Sequence, residues 1–457
     1  MDVGELSEKV RGAVLQPRDE GYAEEVATFN LAFAHSPDVV VAATCAEDVA
    51  AAMRWAGERA LPVGVQATGH GPGTPITHGV LVSTKAMLDI EVDPGNRTAR
   101  VGPGVRWRAL LDAAAPYGLS GLCGSTSDVG VIGYTLGGGL PVLGRRFGYA
   151  ADHVRSFEVV TGDGEIRQVD VREGSDLAWA LRGGKGNVGI VTSMVFDLVE
   201  LSDVYGGGIF YDGSHAAELL TAYARWVPTL PETFASSLAL LRLPPFPEIP
   251  EPLRGQFVVH LRATFVGVEA EGARILAPMR AAAPVLLDSV EPMPYAALDR
   301  VHQDPDHPVP ANEGSSLLRD LPAGAIDVLL EHAGPESGCP LLSVELRHLG
   351  GALSRPADVP DALGDRDAAF ALILIGMMVP PVAEAVPTAI DGLVADLAPY
   401  STGRSMVNLH GVVHSDADRA RPWTAEGYAR LQRVKAAYDP DNLLRFGHAV
   451  AAAIPVS

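Results

Sequence analysis

Along the first two hundred positions, apolar residues come in short runs broken by glycine. DVVVAA (38–43) is a continuous apolar run of strand length, and AEDVAAAMRWAGERA (46–60) places Val49, Met53 and Ala56 on one helical face. LPVGVQAT (61–68) and GVLVST (79–84) predict strands on either side of the Gly-rich stretch QATGHGPGT (66–74). IEVDPGNRTARVGPGV (90–105) predicts a hairpin turning on Asp93, Pro94, Gly95 and Asn96, and RWRALLDAAAPYGL (106–119) a helix stopped by Pro116 and Gly118. FEVVTGDGEIRQVD (157–170) predicts a second hairpin, and SDLAWAL (175–181) a short helix that Ser175 caps. Near residue 200 the glycine clusters give way to longer elements: GQFVVHLRATFVG (255–267), EAEGARILAPMRAAA (269–283), LLSVELRHLGGAL (341–353), FALILIGMMV (370–379) and TAIDGLVADL (388–397). This section predicts an antiparallel sheet covered by helices, with the Pro-rich LPPFPEIPEP (243–252) as a surface loop.

Length and charge narrow the picture. At 457 residues the chain exceeds the ~250–300 at which one core stops growing, so two domains are expected. A net charge of −21, with no compensating basic run, argues against nucleic acid and anionic membrane surfaces as partners. Cys45, Cys123 and Cys339 are odd in number and widely spaced, which argues against a disulfide framework and a zinc site. The first residues show no apolar signal or anchor segment, so a soluble, cytoplasmic protein is expected. HQDPDH (302–307) has metal-ligand residue types, but Pro305 and the Pro308 that follows favour a solvated turn, and no metal is expected.

The glycines carry the chemistry. In QATGHGPGT, Gly69 and Gly71 flank His70 and Pro72 fixes the turn, a pattern suited to holding a ligand against the backbone. A dinucleotide-binding turn of the Rossmann kind needs a helix directly after its glycines, and here a strand follows. Two more clusters come later, GSTSDVGVIGYTLGGGLP (124–141) and RGGKGNVGIVT (182–192). The GGK of the latter lacks the spaced upstream glycine and the Ser or Thr of a phosphate-binding loop. Singly, each cluster reads as a tight surface turn. Their order, followed by YDPDNLLRF (438–446), is specific.

Together these motifs resemble the berberine bridge enzyme-like FAD-linked oxidases, within the vanillyl-alcohol oxidase (PCMH-type) superfamily. The likeness covers most of the first 200 residues, about the last fifty, and VELRHLGGAL in the middle. It implies an α+β fold: a two-part PCMH-type FAD-binding domain in 1–200, a substrate domain with an antiparallel sheet in 201–410, and a segment, 411–457, returning to the FAD-binding domain. It implies FAD held by Ala67, Thr68, Gly69, Gly71, Pro72, Ser125, Thr126, Val129, Gly130, Gly133, Tyr134, Gly137, Gly138, Gly189, Val191 and His448, with His70 bonded to the flavin 8α-methyl carbon. The family's second, cysteinyl link falls at Thr126, so one covalent link is expected, with Cys123 an ordinary buried thiol. Val129 falls where a small residue accompanies oxidases and leucine accompanies dehydrogenases. Other departures are Gln66 for a frequent arginine, Pro141 for the last glycine of the GGGxG pattern, and Gly447-His448-Ala449 for Asn-x-Asn.

The implied reaction is removal of hydride from a small-molecule substrate, with O2 as acceptor and H2O2 as product. Candidate catalytic groups are Tyr134, Glu345, Arg347 and Tyr438, with Asn408 and His410 weaker. Glu345, Arg347 and Leu349 share one strand face, which fits either substrate contact or a solvent-facing ion pair. For each tyrosine, orienting or deprotonating a substrate hydroxyl is one reading, and a structural role with a satisfied hydroxyl is the favoured one. Composition resembles bacterial sequences of high GC content, which points to a tailoring oxidase of secondary metabolism acting on a bulky alcohol or natural-product intermediate. A carbohydrate oxidase or dehydrogenase, a non-redox cyclase on the same scaffold and a flavin-holding protein without turnover are the alternatives, and the oligomeric state is left open.

Overall fold

The computed structural model describes residues 2–71, 73–364, 366–413 and 415–451. Its first layer is a small sheet in which Val80–Ser83 lies between Val39–Ala42 and Val63–Gln66 and runs parallel to both. The helix Ala46–Gly57 makes the crossover between the outer two and buries Val49, Met53 and Ala56. Because Val63–Gln66 and Val80–Ser83 are parallel, the chain between them must travel back the height of the sheet. Among the described residues it does so without a helix, which agrees with rejecting a Rossmann turn.

A second, antiparallel sheet places Ile90–Asp93, Thr98–Val101, Ile190–Asp197, Val154–Val160 and Ile166–Asp170 side by side. Its apolar face packs on the helices Trp107–Ala114 and Val131–Leu136 around Trp107, Leu110, Phe157 and Met194. The predicted hairpins and helices of this region are present, and Ser175 caps its helix through the Ala178 amide.

The third sheet has eight strands. Across it run Val285–Asp288, Asp203–Asp212, Phe257–Phe265, Phe234–Arg242, Ser343–His348, Phe370–Met377 and Ala311–Leu318, with Glu291–Pro294 also paired to Asp203–Asp212. Helices Ala216–Trp226, Glu269–Arg280, Ala323–Ala333 and Ala385–Asp396 cover one face and bury Ile209, Leu238, Leu261, Leu346 and Leu372. Side chains alternate along a strand, so Phe210, Ala239, His260, Glu345 and Ile373 turn to the opposite face. That face meets the Gly-rich loops. The α+β class with a helix-covered antiparallel sheet is therefore present.

The C-terminal motif has a structural explanation. Lys435, fully buried on the helix Ala425–Tyr438, pairs with Asp439 at 2.8 Å and donates to the carbonyls of Asn187 and Leu444. Asp439 in turn accepts from the amides of Leu443 and Leu444. The Leu443 carbonyl then accepts from Val63, which adds the tail to the edge of the first sheet beside the Gly-rich loop.

Candidate active site

A cavity of about 1430 Å³ opens between the bare face of the large sheet and the loops around residues 66–71, 124–134, 185–187 and 446–449. Single small-molecule sites span roughly 300–1,000 Å³, so this one has room for a large cofactor together with a substrate.

His70 lines it, stacked on Phe29 with ring centroids 3.8 Å apart. Its Nε2 lies 3.3 Å from Asp128 Oδ2 but outside hydrogen-bond geometry, and the Arg106 guanidinium also pairs with Asp128. Burial pushes the imidazole below its ordinary pKa, and Asp128 only partly offsets this. His70 is thus a neutral ring with a free nitrogen, the form a nucleophile requires. Gln66 is fixed from behind. The Ile76 amide donates to His35 Nδ1, so His35 Nε2 carries the proton and donates to Gln66 Oε1, leaving the Gln66 amide to donate to Ala27.

Tyr134 stands where the second Gly-rich segment faces the sheet. A Cβ on Gly124 would come within 2.9 Å of its ring and one on Gly139 within 2.4 Å, so these two glycines make the slot that holds the phenol. Trp107 packs edge-on at 5.5 Å. The hydroxyl is buried without a hydrogen-bond partner among the described residues, and burial holds it well above the usual phenol range. A satisfied structural hydroxyl is therefore not what the fold provides.

From the sheet side comes a charged cluster. Glu345 is 4% exposed and is gripped by Arg262 at 2.9 Å and by Arg347 at 3.1 and 3.2 Å. Burial works against its charge, but Arg347 and Arg262 prevail and hold the carboxyl well below the usual range. The solvent-facing ion pair is excluded by this burial. His302 Nε2 lies 3.6 Å from Glu345, both its ring nitrogens lack hydrogen-bond partners among the described residues, and burial followed by Arg262 lowers its pKa. His260 accepts from Arg262 through Nδ1 and stacks on Phe210 at 3.9 Å.

A third group gathers where the C-terminal tail crosses. Lys185 adopts φ +58°, a left-handed conformation that favours glycine, and donates to the Gly133 carbonyl at 3.3 Å. Burial brings it down to about 8, and burial raises Glu313, which faces it electrostatically, to about 7. His448 lines the same corner and is held at about 3 by burial and the Lys185 charge. Asn408 donates to the Tyr134 carbonyl, leaving its own oxygen buried and unpartnered.

Of the sequence candidates, Ala67, Thr68, Gly69, His70, Gly71, Ser125, Thr126, Val129, Gly130, Gly133, Tyr134, His448, Glu345, Arg347 and Asn408 line the cavity. Pro72 lies outside the described residues. Gly137, Gly138, Gly189 and Val191 do not line it. Cβ atoms on these glycines would strike Asn408, Leu363 and the Val159–Val160 strand, so close packing explains them, and Val191 is a buried strand residue. Tyr438 does not reach the cavity either; its ring lies under the Arg167 guanidinium. His410 hydrogen-bonds Ser405 at 2.7 Å behind the wall. Cys123 is fully buried in the core with its thiol held high by burial. The HQDPDH turn divides, with His302 buried and Asp306 and His307 in solvent. The Pro-rich loop is a surface loop as expected, but it also walls the mouth through Phe246 and Ile249.

Sequence reasoning missed Arg262, His302, Lys185 and Glu313. His260 and Arg262 sit two apart in a strand, the same signal that singled out Glu345 and Arg347. Nothing local marks Lys185 or Glu313, which come from distant parts of the chain. The residues present fit FAD. Buried unpartnered atoms of His70, Tyr134, Asn408 and His448 converge on one cavity, and where a Cβ on Gly133 would point there is open space.

Comparisons with known proteins agree. Residues 37–170 match the FAD binding domain family, and residues 420–451 the berberine and berberine-like family. The FAD-linked oxidoreductase YgaK of Bacillus subtilis is 26% identical over 456 residues, covering 97% of each chain. The crystal structure of 6-hydroxy-D-nicotine oxidase from Arthrobacter nicotinovorans superposes with a TM-score of 0.85 at 23% identity, covering 99% of this chain and 100% of that one. Xylooligosaccharide oxidase from Myceliophthora thermophila, solved with xylobiose, superposes at 0.87 and 19% identity with the same coverage. No helix among the described residues is long and apolar enough to cross a membrane. With both matched segments flanking one cavity in this fold, the chain carries an FAD binding domain and a berberine-like segment and is similar to the FAD-linked oxidoreductases.

Proposed function

We propose that the protein is a monocovalent FAD oxidase that removes hydride from a C–H bond of a bulky alcohol or natural-product intermediate, with O2 as acceptor, in bacterial secondary metabolism. The observation that carries this is the convergence of His70 and Tyr134, from the Gly-rich loops, with the Arg262–Glu345–Arg347–His302 cluster of the sheet in one cavity. In this reading residues 1–200 and 411–457 hold FAD through the His70 loop and the tail, and 201–410 shape the substrate side. Thr126 cannot form a thioether and Cys123 faces the core, which supports a single tether at His70. Val129 on the cavity wall supports oxidase over dehydrogenase.

Bound FAD supplies the hydride acceptor. The chain orients the substrate and manages the proton. Glu345, pinned by two guanidiniums, is too weakly basic to take it. Neutral His302 has free nitrogens and a carboxylate 3.6 Å away to stabilise its charged form, so it is the proton acceptor, and Tyr134 and Arg347 orient the hydroxyl. Anaerobic addition of aromatic and aliphatic alcohols to the purified yellow protein tests this. Bleaching of the visible absorbance, reversed by air with one H2O2 per turnover, is expected. Product formed with neither bleaching nor oxygen uptake would favour the cyclase.

A further inference from the structure

The substrate face of the cavity changes character along its strands. At one level lie Arg262 and Arg347, and two residues along each strand His260 and Glu345. The same strand register then runs outwards through Leu241 and Ile375, with the single hydroxyl of Ser343 between them, to Leu243 and Met377, all lining the cavity. Beyond them Phe246, 59% exposed, and Val379, 40% exposed, extend the apolar wall to the mouth. From Ile373, level with Glu345, to Met377 is four residues, or roughly 13 Å at ~3.3 Å per residue. The inner cluster is also close to balanced: two arginines face Glu345 and, further out, Asp304, which acts on Arg347. A head that donates and accepts hydrogen bonds fits there without carrying charge.

We propose that the substrate is amphipathic: a neutral polar head against Arg347, Glu345 and His302, and an extended apolar body lying along the Leu241–Leu243 and Ile375–Met377 wall towards Phe246. This rests on the oxidoreductase reading for what happens at the head, but the shape of the cleft stands independently of it. An oligosaccharide, polar along its whole length, would find Ser343 on this wall but leave most of its hydroxyls there unpaired.

The probe is a series of 4-alkylbenzamides, from methyl to octyl, whose head donates and accepts hydrogen bonds but has no oxidisable carbinol. Titrated calorimetrically into the purified protein as isolated, Kd should fall about fourfold per added methylene while the tail covers the wall. It should level off once the tail passes the mouth. The double variant Phe246→Ala/Met377→Ala should flatten the outer part of that series and alter methylbenzamide far less than octylbenzamide. Phe246→Ala alone, at an exposed position, repeats the comparison without disturbing the fold. A Kd indifferent to tail length overturns the proposal, as does an unchanged slope in the double variant. A protein without flavin that keeps the slope would sink the oxidoreductase reading and leave this one standing.

Discussion

His70 was legible because glycines on both sides of an imidazole serve no ordinary core purpose, and Glu345 and Arg347 because strand alternation puts them on one face. His302 was not, since its role depends on burial against a strand from another part of the chain. If it takes the substrate proton, His302→Gln should lower kcat by 10²–10⁴-fold, on the usual scale of general-base loss, with the flavin retained. The wild-type kcat/KM should also lose activity only below the ordinary histidine value near 6.5, because burial lowers this group. Glu313 offers a stability test. Its folded pKa of about 7 lies above the ordinary carboxyl value of 4.5, so the native state holds the extra proton and wild-type stability falls as pH rises from about 4.5 to about 7. Thermal melts should therefore show Glu313→Gln equal to wild type near pH 4 and more stable above pH 7 by about 3 kcal/mol.

At the scale of elements, glycines do two different jobs that look alike in sequence. Some line the cavity, and others make room for neighbours. Gly139, at φ +68°, abuts the Tyr134 ring, so Gly139→Ala should cost roughly 2–4 kcal/mol in urea unfolding through both strain and overlap, and should loosen the phenol slot. The same ambiguity explains why Gly137, Gly138 and Gly189 read as cofactor contacts. The regular strands Phe257–Phe265 and Phe370–Met377 were visible as apolar runs. Asp203–Asp212 was hidden because its centre, Gly206 to Gly208, carries no side chains to alternate; Gly208 is bare because His260 Nε2 would sit 2.0 Å from a Cβ there. Tyr438 fell next to a motif whose purpose is the Lys435–Asp439 anchor, and the anchor cannot be told from chemistry without the partners.

For the whole molecule, the cavity exists only where the sheet's bare face meets the Gly-rich loops and the returning tail, so a ligand there ties together segments far apart in sequence. A His70→Ala protein stripped of flavin should accordingly melt at a temperature that climbs with added FAD, gaining about 2.7 kcal/mol at a hundredfold excess over Kd. The central claim is that one imidazole, His70, tethers FAD in this cavity. Intact mass spectrometry of the acid-denatured, natively purified protein tests it most directly. The account predicts the chain plus one FAD in wild type, the adduct on the His70 peptide, and the bare chain in His70→Ala. A colourless wild-type protein of unmodified mass that takes up no added FAD would contradict it.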